Sequence, residues 1–234
     1  MKRGFSLIEL IFVMVIVGIL SAVLIPRFNR PILTEAAHQL ISHIRYTQHL
    51  AMIDDVYDAN EEFWYRGRWQ IFFAKTKGSD EEWAYTIFAD KKGTKGFTGF
   101  PDIKEIAKNP QNPVTQYLTG GYTWGNIPYK NKTTKEIDKR VTKSMNLGHH
   151  YGVKKVEFKG GCKARGLRIS FDNLGRPLYS NSKSLTSQYK AGNKNRLIKQ
   201  TCQILLCLDD PCINDSKRSQ TIIIEPETGY AHTL

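Results

Sequence analysis

The chain has 234 residues, 41% of them apolar, and a formal net charge of +12. That is enough apolar material for one packed domain with an added element, too little for two full domains, and too much for a disordered chain. The charge is regional: residues 130–200 hold 18 Lys/Arg against 4 Asp/Glu, which leaves the rest of the chain at −2. Such an excess suits an anionic partner such as DNA, or a merely solvated face.

The first predicted element is an anchor. Met1-Lys2-Arg3-Gly4 precedes an almost wholly apolar run from Phe5 to Ile25, and these 21 residues reach roughly 31 Å as a helix, the thickness of a bilayer core. Lys2 and Arg3 bias the N-terminus to the cytoplasm and carry everything after Pro26 across the membrane. An ordinary secretory signal would end in a small-residue cleavage site, whereas Pro26-Arg27-Phe28 follows here. Glu9 interrupts the apolar run, where an ionisable side chain costs about 2.5–3.5 kcal/mol and calls for a cationic partner.

Lys2-Arg3-Gly4-Phe5-Ser6-Leu7-Ile8-Glu9 resembles the class III leader of type IV pilins and pseudopilins. The resemblance implies cleavage after Gly4 by a prepilin peptidase, N-methylation of the new N-terminal Phe5, and a role for Glu9 in assembly. There Glu9 would face the terminal amine of a neighbouring subunit, the partner its burial requires.

Beyond the anchor, Pro26 and Pro31 are expected to interrupt the helix. Leu33, Ala37, Leu40, Ile44 and Ala51 then recur at helical spacing, which predicts an amphipathic helix reaching about Val56. His38, His43 and His49 fall off that stripe at spacings of five and six, unsuited to sharing a metal, and are read as surface histidines.

From Phe63 the pattern becomes β-like. Trp69-Gln-Ile-Phe-Phe and Trp83-Ala-Tyr-Thr-Ile-Phe predict a hairpin, with residues 91–140 following as a Gly/Pro/Asn/Lys-rich insertion or long loop. Strands are predicted again near 152–158, 167–171, 201–208 and 221–225, bounded by turn sequences such as Asp172-Asn-Leu-Gly-Arg-Pro. The alternation points to antiparallel sheet. The Ile169-Ser-Phe-Asp stretch with Gly175-Arg176-Pro177, and the late Thr228-Gly229-Tyr230, resemble the H-type pseudopilins of type II secretion and related minor pilins.

Cys162, Cys202, Cys207 and Cys212 all fall in the exported part, which favours disulfides. Zinc is the rival, but the run lacks tight Cys-x2-Cys pairing and a following His. Cys207 and Cys212 flank a turn-rich span and form the expected local pair, leaving Cys162 with Cys202 by elimination among three connectivities.

No nucleophile elbow, phosphate loop or zinc-protease motif is present, so no catalytic residue is nominated and the chain is not expected to be an enzyme. His149-His150 beside Asp138, and the oxygen-rich Asp209, Asp210, Asn214 and Asp215, do not follow metal-site spacing. No cofactor and no metal are expected. If the basic region binds DNA, Lys154, Lys155, Lys159, Lys163, Arg165 and Arg168 are the candidates, with Val156 and Phe158 pointing inward between them.

The expected fold is α+β: a long N-terminal helix packed by its second half on an antiparallel β-rich domain. The expected organisation is a leader at 1–4, a transmembrane and assembly helix at 5–26, an amphipathic helix at 27–57 and a periplasmic domain at 58–234. The resemblance implies a minor pseudopilin in the inner membrane, partnered by other pilins or pseudopilins and by prepilin peptidase, in a type II secretion pseudopilus handling secreted proteins. The alternative is a minor pilin of a competence or type IV pilus system whose basic domain binds DNA.

Overall fold

The computed structural model describes residues 7–28, 32–92, 96–122, 127–163, 166–213, 215 and 217–234, with side chains of the first helix described through Ser21. That helix, α1 (Leu7–Phe28), is apolar all round, and its described side chains are exposed to solvent along their whole length. A helix of this kind has no wet face of its own and needs an apolar surrounding. Its 22 residues make about 33 Å of helical backbone. The helix runs on through Pro26 rather than ending there, because proline's own φ is helical and only one backbone hydrogen bond is forfeited near the last turn.

The second helix, α2 (Ile32–Ile53), buries Leu33, Ala36, Ala37, Leu40, Ile41, Ile44, Thr47 and Ala51. The stripe read from the sequence is therefore the dry face, widened by Ala36 and Ile41. Each large aliphatic on it stabilises the docking by about 2 kcal/mol. The helix stops at Ile53, three residues before Val56. At its end the Asp54 N–H still reaches the Leu50 carbonyl at 3.0 Å, and the Asp54 carboxylate accepts a 2.7 Å hydrogen bond from the indole of Trp69.

Two four-stranded antiparallel sheets receive α2. The first has the order β2-β1-β4-β5, formed by β1 (Trp69–Lys75), β2 (Trp83–Ala89), β4 (Arg168–Phe171) and β5 (Pro177–Tyr179). The expected hairpin is complete, running from Trp69 opposite Ala89 to Lys75 opposite Trp83. The second has the order β10-β9-β8-β3, from β3 (Lys155–Gly160), β8 (Cys202–Cys207), β9 (Ser219–Ile224) and β10 (Ala231–Thr233). α2 touches β1 and β4 of the first sheet and β8, β9 and β10 of the second, so one apolar stripe closes both. A short hairpin, β6 (Lys190–Ala191) with β7 (Lys194–Asn195), lies against β5, where the Tyr179 hydroxyl donates to the Asn195 carbonyl at 3.1 Å.

The long insertion is irregular, as its composition indicates, yet it is packed. Ile106, Ile127, Tyr129 and Val141 gather with Phe88 of β2 into a second small core. Bridges Thr86–Thr119 and Phe88–Ile106 cover the outer edge of β2, which would otherwise present unpaired backbone groups. The short helix α3 (Leu147–Tyr151) closes the insertion, capped by the Asn146 side chain and ended by Gly152 at φ +72°.

Two disulfides tie the second sheet. Cys162 is joined to Cys202 and Cys207 to Cys212, the same two pairs read from the sequence. The Asp172 turn is equally local in origin: its carboxylate accepts the N–H groups of Leu174 and Arg176 and pairs with the Arg176 guanidinium at 2.8 Å.

Candidate functional site

The processing residues Gly4 and Phe5 lie outside the described residues. Glu9 stands in the first turn of α1, where a carboxylate faces the positive end of the helix dipole. The side chains described on α1 cover Leu7 to Ser21, about 22 Å of helix. Among the described residues no helix is long and apolar enough to cross a membrane. What the helix does display is a continuous apolar cylinder, with Leu7, Ile8, Phe12 and Met14 each about two-thirds exposed or more. Such a surface is used by burial against lipid or against other helices.

The proposed DNA-contacting set is only partly brought together. Val156 and Phe158 are buried, and Lys155 and Lys159 lie on the opposite face of β3, as alternation requires. These lysines already have carboxylates: Lys154 lies 3.7 Å from Glu82, Lys155 3.2 Å from Asp210 and Lys159 3.6 Å from Glu157. Lys163 is exposed, and Arg165 lies outside the described residues.

Arg168 requires correction. It is 3% exposed, with its guanidinium 4.2 Å from the Phe72 ring centre and donating to Gln70 Oε1 at 3.0 Å and to the Gly99 carbonyl. Burial lowers its pKa to about 10. Beneath it Asp90 accepts the N–H groups of Thr98 and Gly99, and burial raises that carboxyl to about 6. Arg168 is a packing residue because β4 is the inner strand between β1 and β5, with the segment around Gly99 and Phe100 laid over it.

The polar clusters resolve into paired side chains. His149 stacks on Tyr129 with ring centres 4.8 Å apart and meets Asp80 at 2.8 Å, while Asp138 pairs with Arg140 at 2.7 Å. Asp209 is taken by Arg218. Among the described residues no three His, Cys, Asp or Glu side chains are grouped to hold a metal.

One constellation has no counterpart in the sequence reading. Gln39 and His43, on the edge of the α2 stripe, enter a half-buried chain of hydrogen bonds. Tyr151 donates to Gln39 Oε1 at 2.8 Å, and Gln39 Nε2 donates to Tyr85 Oη at 2.8 Å and to the Ser144 carbonyl at 3.0 Å. With that oxygen already accepting, the Tyr85 hydroxyl donates to His43 Nδ1 at 2.7 Å, which makes His43 neutral with its proton on Nε2. Burial drives the His43 pKa down to about 4, pushes Tyr85 far above the ordinary phenol range, and takes Tyr151 up to about 12. His43 is therefore not a surface histidine. The i, i+4 spacing of Gln39 and His43 was the available signal, but their partners lie 42 to 112 residues away.

An apolar helix bearing a single carboxylate, followed by an amphipathic helix seated across two antiparallel sheets, defines a pilin-like α+β protein. Residues 1–25 match the prokaryotic N-terminal methylation motif, and this supports recognition of the chain as a type IV pilin or pseudopilin. The motif carries with it processing by prepilin peptidase and assembly with other pilins, and it suggests a membrane-anchored precursor. No curated protein and no solved structure matches the chain.

Proposed function

We propose that the chain is a minor pseudopilin, a structural and priming subunit of a type II secretion pseudopilus or a type IV pilus-like filament, with no catalytic role. The observation that carries this reading is the methylation motif at residues 1–25, continuous with a helix that is apolar on every side. In this reading residues 5–26 span the inner membrane once, the N-terminus is cytoplasmic and the domain from residue 58 is periplasmic. Processing after Gly4 frees the Phe5 amine, and Glu9 of one subunit meets that amine of the next, which offsets the cost of both charges in an apolar bundle. The work of assembly comes from other proteins.

The alternative, a competence pilin whose basic domain binds DNA, has less support from the residues first nominated. Arg168 is buried, and Lys154, Lys155 and Lys159 face carboxylates. The test is deletion of the chain followed by parallel assays of exoprotein release, filament formation and DNA uptake. Loss of exoprotein release or of filaments is expected. Loss of DNA uptake with the other two intact overturns the secretion reading, and no change in any of the three overturns the filament subunit itself.

A further inference from the structure

Where α2 ends, three surfaces of different character adjoin. The first is acidic: residues 54–62 carry five Asp/Glu and no Lys/Arg. Glu61 pairs with Lys92, whereas among the described residues Asp55 and Asp58 accept N–H groups of their own turn and form no ion pair. The second is apolar. Met52, Ile53, Tyr57 and Leu174 are 55%, 64%, 62% and 64% exposed, and all four line one cleft of about 630 Å³ with Trp64 and Trp69 in its wall. Four large apolar side chains left open around one cleft, with aromatic walls, have the composition of a protein contact surface.

The third surface is basic. Residues 173–208 contain six Lys/Arg and no Asp/Glu. Arg176 is taken by Asp172, but Lys183, Lys190, Lys194 and Lys199 are exposed, and among the described residues none of these four forms an ion pair. They ride on the excursion that carries the β6–β7 hairpin. Arg66 and Arg68, just past the acidic stretch, hold that excursion by donating to the carbonyls of Leu185 at 2.9 Å and Gln188 at 2.8 Å. Gln188 and Tyr189 line the same cleft as Asp54 and Asp55.

We propose that this face is a homotypic docking surface, closed by a second copy of the chain about a two-fold axis. An acidic segment and a basic segment that both border one apolar cleft can be self-complementary under a half-turn, acid meeting base twice while the apolar cleft meets its own copy. The charges select the partner and its register, and the apolar centre supplies the attraction. The contact belongs to the globular domain and is independent of which filament the chain serves.

The test uses the full processed chain in detergent, with its mass measured by light scattering across protein concentration and salt. Wild type is expected to dimerise and to weaken as salt rises from about 50 to 500 mM, because exposed charges more than a Debye length apart are then screened. Two charge reversals, Lys190→Glu with Lys194→Glu, and Asp55→Lys with Asp58→Lys, are each expected to weaken self-association at least about tenfold through like-charge contact. Mixed together, the two variants are expected to form a heterodimer, which also shows that both are folded. Association through α1 alone responds to neither reversal, so masses unchanged by both overturn the proposal. A monomeric wild type that binds duplex DNA at low salt also overturns it and gives the basic flank to a polyanion instead.

Discussion

Acidification reaches the domain through His43. Its native pKa of about 4 lies below its ordinary value of 6.5, so the unfolded chain binds the proton more readily. The contribution of the neutral imidazole is fully present above pH 6.5 and is lost as pH falls from 6.5 toward 4. A shift of this size corresponds to about 3 kcal/mol as an upper figure, since the ring keeps some solvent contact. The hydrogen bonds give the reason: a proton on Nδ1 would turn an acceptor into a donor and leave the Tyr85 hydroxyl, already receiving Gln39, with no acceptor for its own hydrogen. His43→Asn keeps an acceptor near that position and removes the titration. Urea unfolding followed by tryptophan fluorescence from pH 7 to 4 should show the wild type losing about 2–3 kcal/mol more than the variant. Asp90, with its carboxyl raised to about 6, titrates with the opposite sign, and the comparison cancels it because both proteins carry it. Identical pH profiles for the two proteins would refute the assigned hydrogen-bond chain.

Intact mass of the membrane protein should give a chain starting at methylated Phe5, and a bulky residue in place of Gly4 should leave Met1–Gly4 attached; a native chain retaining the leader in peptidase-positive cells counts against the processing assignment. Glu9→Ala should insert into membranes at least as well as wild type while entering filaments poorly, as read by co-purification with sheared filaments, and equal incorporation removes the assembly role. Opening Cys162–Cys202, which closes a separation of 40 residues, should lower stability by about 4 kcal/mol, against about 2 for Cys207–Cys212 with a separation of 5. Unfolding curves of the paired Cys→Ala variants check this ranking, and equal losses would show that the loops do not set it.

The sequence by itself determined the elements whose physics is local. The 21-residue apolar run with Glu9, the α2 stripe, the β1–β2 hairpin and the Asp172 turn each follow from spacing and composition within a short window. The disulfide pairs were legible because one of them is local and elimination left the other. Tertiary structure alone decided the fate of individual polar residues. Arg168 reads as a DNA-contacting cation of the basic region, but β1 and β5 flank its strand and Phe72, Phe88 and Phe100 surround its guanidinium. His43 reads as an off-stripe surface residue, but Tyr85 and Tyr151, from distant elements, meet Gln39 beside it. The strands β5 and β10 are three residues each and carry little periodicity, so they exist because longer neighbours offer them an edge. Period and propensity act over neighbouring residues, whereas burial of a charge is set by chain segments that meet only when the two sheets close on α2.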